Sequence, residues 1–327
     1  MSDSLPGQPL AGALIQTVTG PLPVEAVTLA DGHAHVWIQP PDGADPAARL
    51  DLHDEAAIRA ELSDFRAAGG TLLVDCQPGE AGRDARALAR LSAATGVQIT
   101  ATTGAHQRRY YAPDCWLWSA SAEDAAAYFV EELTVGTRES GGAVRAATIK
   151  IGYEGVIEGQ TRVLMEAAAE ASRQTGALIL FHTERGANVE ALPPFFAGQD
   201  VPAERLYLCH VDKRPDVGLH RELAQAGALL GYDTFARPKY DPDRTTWPLL
   251  AALVADGLGS HIAICLDMAL AEMWRHYGGG PGLLFLPEQI VPRLRALGLP
   301  ASTIRDLTGG NIARRLVWRA PGAEESL

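Results

Sequence analysis

Four histidines, one aspartate and one lysine close five short apolar runs in this chain, and together they form a ligand set for divalent cations. The runs are Asp-Gly-His33-Ala-His35, Ala-Thr-Ile-Lys150, Leu-Ile-Leu-Phe-His182, Leu-Tyr-Leu-Cys-His210 and Ile-Ala-Ile-Cys-Leu-Asp267. Imidazole nitrogen and carboxylate oxygen suit borderline metals such as zinc. The set as a whole matches the needs of a two-metal hydrolytic site. In His33-Ala-His35 the two rings stand two residues apart on a strand and therefore share one face. Singly, each residue has a structural explanation: His182 and His210 as satisfied core histidines, Asp267 as a helix cap. Jointly, ligand positions at the ends of five strand-like runs point to one site.

Lys150 discriminates between chemistries. An ammonium inside Ala-Thr-Ile-Lys-Ile lies in an apolar interior, which costs several kcal/mol unless something compensates it. Three states would relieve the cost: a Schiff-base amine, a salt bridge to a buried carboxylate, or a carbamate formed with carbon dioxide that bridges two cations. Four histidines in the same inferred neighbourhood favour the carbamate, since a Schiff-base lyase has no use for them.

These side chains need a scaffold that brings strand ends together. Strand-like runs are predicted near Val27–His35, Thr71–Asp75, Val97–Thr102, Ala146–Ile151, Ala177–His182, Arg205–His210, Ala228–Tyr232 and His261–Asp267. Helical patterns alternate with them at Glu55–Ala68, Arg83–Ala94, Ala122–Leu133, Thr161–Thr175, Val189–Phe196, Leu219–Ala226 and Thr246–Ala255, with further helices at Pro287–Leu297 and Ser302–Leu316. Eight strands with intervening helices predict an α/β fold, a distorted (β/α)8 barrel. A doubly wound sheet is the alternative, but the Gly-rich loop expected after its first strand is missing. Ligands at the C-terminal ends of strands 1, 4, 5, 6 and 8 then converge where barrel enzymes keep their sites. Residues 1–26 read as an N-terminal extension and 27–327 as the barrel domain with its C-terminal helices.

Composition sets outer bounds. At 327 residues the chain is long enough for one large barrel, and its net charge of −12 disfavours nucleic acid and anionic membranes as partners. Cys76, Cys115, Cys209 and Cys265 show no C-x-x-C spacing and read as small buried hydrophobes in a reducing compartment. With no signal-peptide pattern and no apolar stretch approaching 18 residues, the expectation is a soluble cytoplasmic protein.

From about Val27 to Leu316 the chain resembles the phosphotriesterase-like branch of the amidohydrolase superfamily. The resemblance is carried, in order, by His33-Ala-His35, Glu-Leu-Ser-Asp-Phe-Arg-Ala-Ala-Gly-Gly70, Gly82-Arg83-Asp84, Ile-Lys150, Phe-His182-Thr183, Cys-His210-Val-Asp212, Leu-Asp267-Met268, Tyr277-Gly-Gly-Gly-Pro281-Gly and Gly310-Asn311-Ile-Ala-Arg314. It implies two divalent ions (zinc, or manganese, cobalt or iron). His33, His35 and Asp267 would hold the buried ion, and His182 and His210 the more exposed one. Carboxylated Lys150 and a hydroxide would bridge them, with Asp267 as the catalytic proton carrier. The implied function is a lactonase or carboxylic esterase, with phosphoester or N-acyl amide hydrolysis as the alternative. The implied partners are a small-molecule substrate and a second copy of the chain.

Substrate candidates follow the strand ends: Trp37, His106, Tyr153, Arg237, Lys239 and Trp274, with Arg108, Arg109, Tyr110 and Tyr111 close to His106. Two departures from the family's pattern narrow the substrate. Gly231-Tyr232-Asp233-Thr234 lacks the strand-7 histidine of the triesterases. Lys239 resembles the phosphate-gripping lysine of sugar-phosphate lactonases, but Leu270 and Met273 stand where its arginine and tyrosine partners are expected. A carboxylated or less charged lactone therefore fits better than a sugar phosphate.

Overall fold

The computed structural model describes residues 12–318. Its first element is an antiparallel hairpin of β1 (Leu14–Thr17) and β2 (Gly20–Pro23). Eight parallel strands follow: β3 (Ala30–Ala34), β4 (Leu72–Asp75), β5 (Gln98–Ala105), β6 (Ala146–Tyr153), β7 (Leu178–Thr183), β8 (Leu206–Cys209), β9 (Leu229–Tyr232) and β10 (Ile262–Ile264). Each of these pairs with the next in sequence order. Helices α1 (Glu55–Ala67), α2 (Ala85–Thr95), α3 (Ala122–Thr134), α4 (Gly159–Thr175), α5 (Leu192–Ala197), α6 (Val217–Gln225) and α7 (Thr246–Ala255) return the chain between strands, and α8 (Val291–Ala296), α9 (Ala301–Arg305) and α10 (Asn311–Arg315) close it. The result is the (β/α)8 barrel that the strand and helix alternation predicts.

Local chemistry marks the helix ends. Asp54 accepts from the backbone N–H groups of Ala56 and Ala57, Asp84 from Arg86 and Ala87, Ser121 from Asp124 and Asp216 from Leu219. Gly96 and Gly176 end α2 and α4 in the left-handed conformation, at φ 73° and 74°.

The ring is completed without a ladder between its first and last strands. The Asp267 N–H donates to the His33 carbonyl at 3.0 Å. Beneath that bond, the buried Asp31 carboxylate accepts from the N–H groups of Leu266 and His33, both at 3.1 Å. One acidic side chain thus stitches β3 to the segment that follows β10.

The core has two layers. Inside the barrel, Leu72, Val74, Leu178, Leu180, Tyr207 and Leu229 pack with Ile15 of β1 and with Ile312 and Leu316 at the C-terminus. Outside, helix side chains such as Phe65, Leu88, Phe129 and Met165 pack on the outer face of the sheet. The hairpin therefore plugs the floor of the barrel: Ile15 is fully buried and bridges Val317. The residues up to 26, expected as an extension, carry this structural element. Its short strands and its Gly-Pro-Leu-Pro sequence hide it from a periodicity reading.

One buried ion network locks the outer layer. The Arg83 guanidinium lies between Glu132 and Glu139, each 2.6 Å away, and also donates to the Thr102 carbonyl of β5. Among the described residues, no helix is long and apolar enough to cross a membrane.

Candidate metal centre

Strand geometry places each ligand candidate at the C-terminal mouth of the barrel. His33 lies in β3 and His35 just beyond it, and both are buried. Lys150 sits mid-strand in β6 with no exposed surface. Its neighbour on β5 is Gly104 (φ 100°), where an added Cβ would lie 2.1 Å from the Lys150 carbonyl oxygen, so the strands approach closely only because that residue is glycine. His182 is near the end of β7, His210 directly follows β8 and Asp267 follows β10. His210 and Asp267 adopt positive φ values of 66° and 49°. Non-glycine residues in that region carry about 1–3 kcal/mol of backbone strain, which the surrounding structure must hold and which concentrates at functional sites.

The side chains meet. The Nε2 atoms of His33 and His35 each lie 3.7 Å from Asp267 Oδ1, and His210 Nδ1 lies 3.7 Å from Asp267 Oδ2. His33 Nε2 is 3.4 Å from Lys150 Nζ. The His210 ring stands 4.7 Å from both the His33 and the His182 rings. Ligand atoms of His33, His35 and Asp267 fall within 4.8 Å of one another, as do those of His33, His210 and Asp233.

Neighbouring groups fix the rings. His35 Nδ1 pairs with Gln77 Oε1 at 2.9 Å, and His210 Nδ1 with Asp233 Oδ2 at 2.6 Å. Asp233 is buttressed by Asp212, whose Oδ2 accepts from the Asp233 N–H at 2.9 Å. His182 Nε2 faces Glu184 Oε2 at 3.5 Å. Sequence reasoning missed Gln77 and Asp233 as ring anchors. Their one sequence signal is position, just after β4 and β9.

The electrostatics suit a cation. Burial, with Lys150 close by, drives His33 well below the ordinary histidine value, and it takes His35 down to about 4. Burial also lowers His210 and His182. All four rings are therefore neutral near pH 7, with lone pairs to donate. Burial alone would raise the Asp267 carboxyl, but His210 and Arg237 outweigh it and hold Asp267 below its ordinary value. Lys150 makes no ion pair among the described residues, and the His33 Nδ1 is buried without a hydrogen-bond partner. The residues present thus fit a divalent-metal site: neutral imidazoles, an ionised carboxylate and an uncompensated buried amine.

A cavity of about 180 Å³ opens beside the cluster, lined by His35, Gln77, His106, His182, Arg237 and Asp267. Of the six candidate substrate residues, His106 and Arg237 reach it. Arg237 Nη2 donates to Asp267 Oδ2 at 2.8 Å and also to the Asp267 carbonyl. The other four lie elsewhere. Tyr153 stands three residues beyond Lys150 on β6, which turns it to the opposite face, and its hydroxyl donates to the Asn188 carbonyl. Trp274 is wholly buried, its indole N–H bonded to the Met268 carbonyl. Trp37 packs near His53 at 6.1 Å, because the chain leaves the strand before it. Lys239 is exposed, its Nζ 5.1 Å from the centre of the Tyr240 ring.

Comparison with known proteins agrees with this arrangement. A family model, that of the phosphotriesterase family, matches residues 13–314. The chain is 27% identical over 323 residues to a phospho-furanose lactonase of Mycoplasmopsis synoviae, covering 93% of this chain and 91% of the relative. It is 27% identical over 270 residues to an N-acetyltaurine hydrolase of Bos taurus, covering 76% and 74%. A crystal structure of a lactonase from Listeria monocytogenes superimposes with a TM-score of 0.87 at 25% identity, covering 94% of this chain and all of that one. With the strand-end histidines, the buried lysine and the aspartate in one cluster, the chain belongs to the phosphotriesterase family of metal-dependent hydrolases.

Proposed function

We propose that this protein is a binuclear metal-dependent lactonase. The observation that carries the reading is the meeting of His33, His35, His182, His210 and Asp267 around an unpaired buried Lys150. The likeness to proteins named lactonases supports the substrate class. His33, His35 and Asp267 would hold one ion and His182 and His210 the second, with Lys150, carboxylated by carbon dioxide, between them. Zinc, manganese, cobalt and iron all suit these nitrogen and oxygen donors.

Bound divalent ions supply Lewis acidity, which lowers the pKa of water from about 16 to about 7 and polarises an ester carbonyl. The chain's own residues do the rest. Asp267, ionised and aimed at the cluster, accepts the proton that an attacking water gives up. It returns that proton to the ring oxygen as the acyl C–O bond breaks, so one water is consumed and a hydroxy acid leaves. Arg237, bonded to Asp267 Oδ2, orients the carboxylate and keeps it ionised. Gln77 and Asp233 hold the His35 and His210 rings in fixed orientations.

The test is a pH-indicator screen of γ- and δ-lactones with protein reconstituted in zinc or manganese and bicarbonate. Expected is turnover that falls at least about 100-fold in Asp267→Asn. No hydrolysis of neutral, carboxylated or phosphorylated lactones, with metal confirmed bound, would sink the lactonase reading. A second reading, N-acyl amide hydrolysis, is favoured by the likeness to N-acetyltaurine hydrolase. N-acetyltaurine and a phosphotriester in the same assay separate these alternatives. Borohydride trapping with a carbonyl substrate would expose a Schiff-base amine at Lys150, and its absence is expected.

A further inference from the structure

The cavity beside the candidate metal ligands has an apolar and a charged part to its lining. In the apolar part, Ile38, Pro40, Ala44, Ala48 and Leu50 come from the loop after β3, and Leu270 faces the cavity from the segment after β10. That loop is held in place by the Ile38–Leu52 bridge, whose two backbone hydrogen bonds measure 2.8 and 2.9 Å. The Asp45 N–H, donating to the Arg109 carbonyl at 3.1 Å, ties it across to the loop after β5.

The rest of the lining carries charge. Three arginines line the cavity, Arg49 and Arg109 at its exposed rim and the half-buried Arg237 deeper. Arg49 is committed to Asp51 at 2.6 Å and Arg237 to Asp267 at 2.8 Å. Arg109 makes no ion pair among the described residues. It instead rests on the Tyr110 ring at 5.2 Å. Tyr110 meets the His106 ring edge-on at 4.6 Å, and His106 stands 4.8 Å from the His182 ring. A series of edge-on and tilted ring contacts thus leads from Arg109 at the rim to the candidate metal ligands.

We infer that this site takes a monoanionic lactone with an apolar body, its carboxylate held by Arg109 and its carbon skeleton laid along the Ile38–Leu50 wall. This rests on the lactonase reading above. One uncommitted guanidinium is matched by one carboxylate, and planar bidentate pairing suits that group. A phosphate dianion would need more positive charge than the cavity leaves free, since Lys239 stands exposed on Tyr240 and outside the lining. The apolar side chains of the lining offer nothing to the hydroxyl groups of a sugar, whose desolvation there would go uncompensated. The substrate class therefore differs from that named for the Mycoplasmopsis relative.

The experiment compares three δ-lactones that differ only at the end of a short alkyl chain: a carboxylate, its methyl ester and a phosphate. With metal-loaded protein, kcat/KM for the carboxylate is expected to exceed that for the ester by about tenfold. In Arg109→Ala that ratio should collapse to about one, the loss falling on KM, and Arg109→Lys should restore part of it. The phosphate should do no better than the ester. A preference for the phosphate, or a carboxylate preference that survives in Arg109→Ala, would overturn the inference. Should none of the three turn over, calorimetry with the matching carboxylated and esterified lactams decides separately. Tighter binding of the carboxylate that depends on Arg109 sustains the charge assignment while the lactonase reading falls. Equal or absent binding of the two lactams overturns both.

Discussion

Lys150 is the residue on which the site turns, because nothing else in the barrel explains an amine buried without an ion pair. Lys150→Met keeps the length of the side chain and removes the nitrogen. Metal content by mass spectrometry is expected to fall by at least one ion per chain, with folding retained. Unchanged metal content would rule out the carbamate. Asp233 works through His210, which it pairs at 2.6 Å. Asp233→Asn should weaken metal binding by roughly 10- to 100-fold, as loss of ligand-orienting partners generally does, measured by competition with a chromogenic chelator. His35, held to about 4 by burial, gives a pH signature. Its folded value lies below the unfolded one of about 6.5, so its share of stability is present above pH 6.5 and is lost as pH falls towards 4. Thermal melts of metal-free protein should show Tm falling less over that window in His35→Asn than in the parent chain. The candidate ligands stand out in the sequence because each follows a run of apolar strand residues or lies within one. Their anchors Gln77 and Asp233 do not, since side-chain amides and carboxylates after a strand usually cap or solvate.

At the level of elements, the alternation of strands and helices was readable almost throughout, although the helix expected from Arg83 begins only at Ala85, after the Asp84 cap. Which face a strand-end residue presents was harder. Tyr153 was assigned to the pocket by its nearness to Lys150 in sequence, but an offset of three residues reverses the face. Close packing between strands was equally silent: Gly104 reads as an ordinary strand glycine until the Lys150 backbone is seen against it. Gly104→Ala should separate β5 from β6, destabilise the fold by about 1–3 kcal/mol and disturb Lys150. Urea unfolding and metal content together would show both effects. The buried Arg83 network makes a contrasting case. Arg83→Met leaves Glu132 as an unpaired buried charge and should cost about 3–5 kcal/mol without altering the metal content.

For the molecule as a whole, the barrel is filled from below. The β1–β2 hairpin supplies Ile15 to its floor, and α10 and the residue after it supply Ile312 and Leu316. Ile15→Ala is expected to cost about 2–4 kcal/mol in urea unfolding with KM unchanged, because the hairpin lies at the end of the barrel away from the cavity. None of this was visible in the N-terminal sequence, where four-residue strands and two prolines give no periodic signal.

The bond between the Asp267 N–H and the His33 carbonyl spans most of the chain. It joins the first candidate ligand to the last, so the clasp of the ring and the jaws of the candidate site are one piece of hardware. Fastening it closes a very long loop, a contact expected late in folding. An ion gripping both residues would rivet that clasp from above, while Asp31 sews it from below. Stripping the ion should then be felt as breathing along a single seam. The amide protons of Leu266 and Asp267 would exchange with solvent sooner, while those of β6 and β7, on the far side of the barrel, keep their pace.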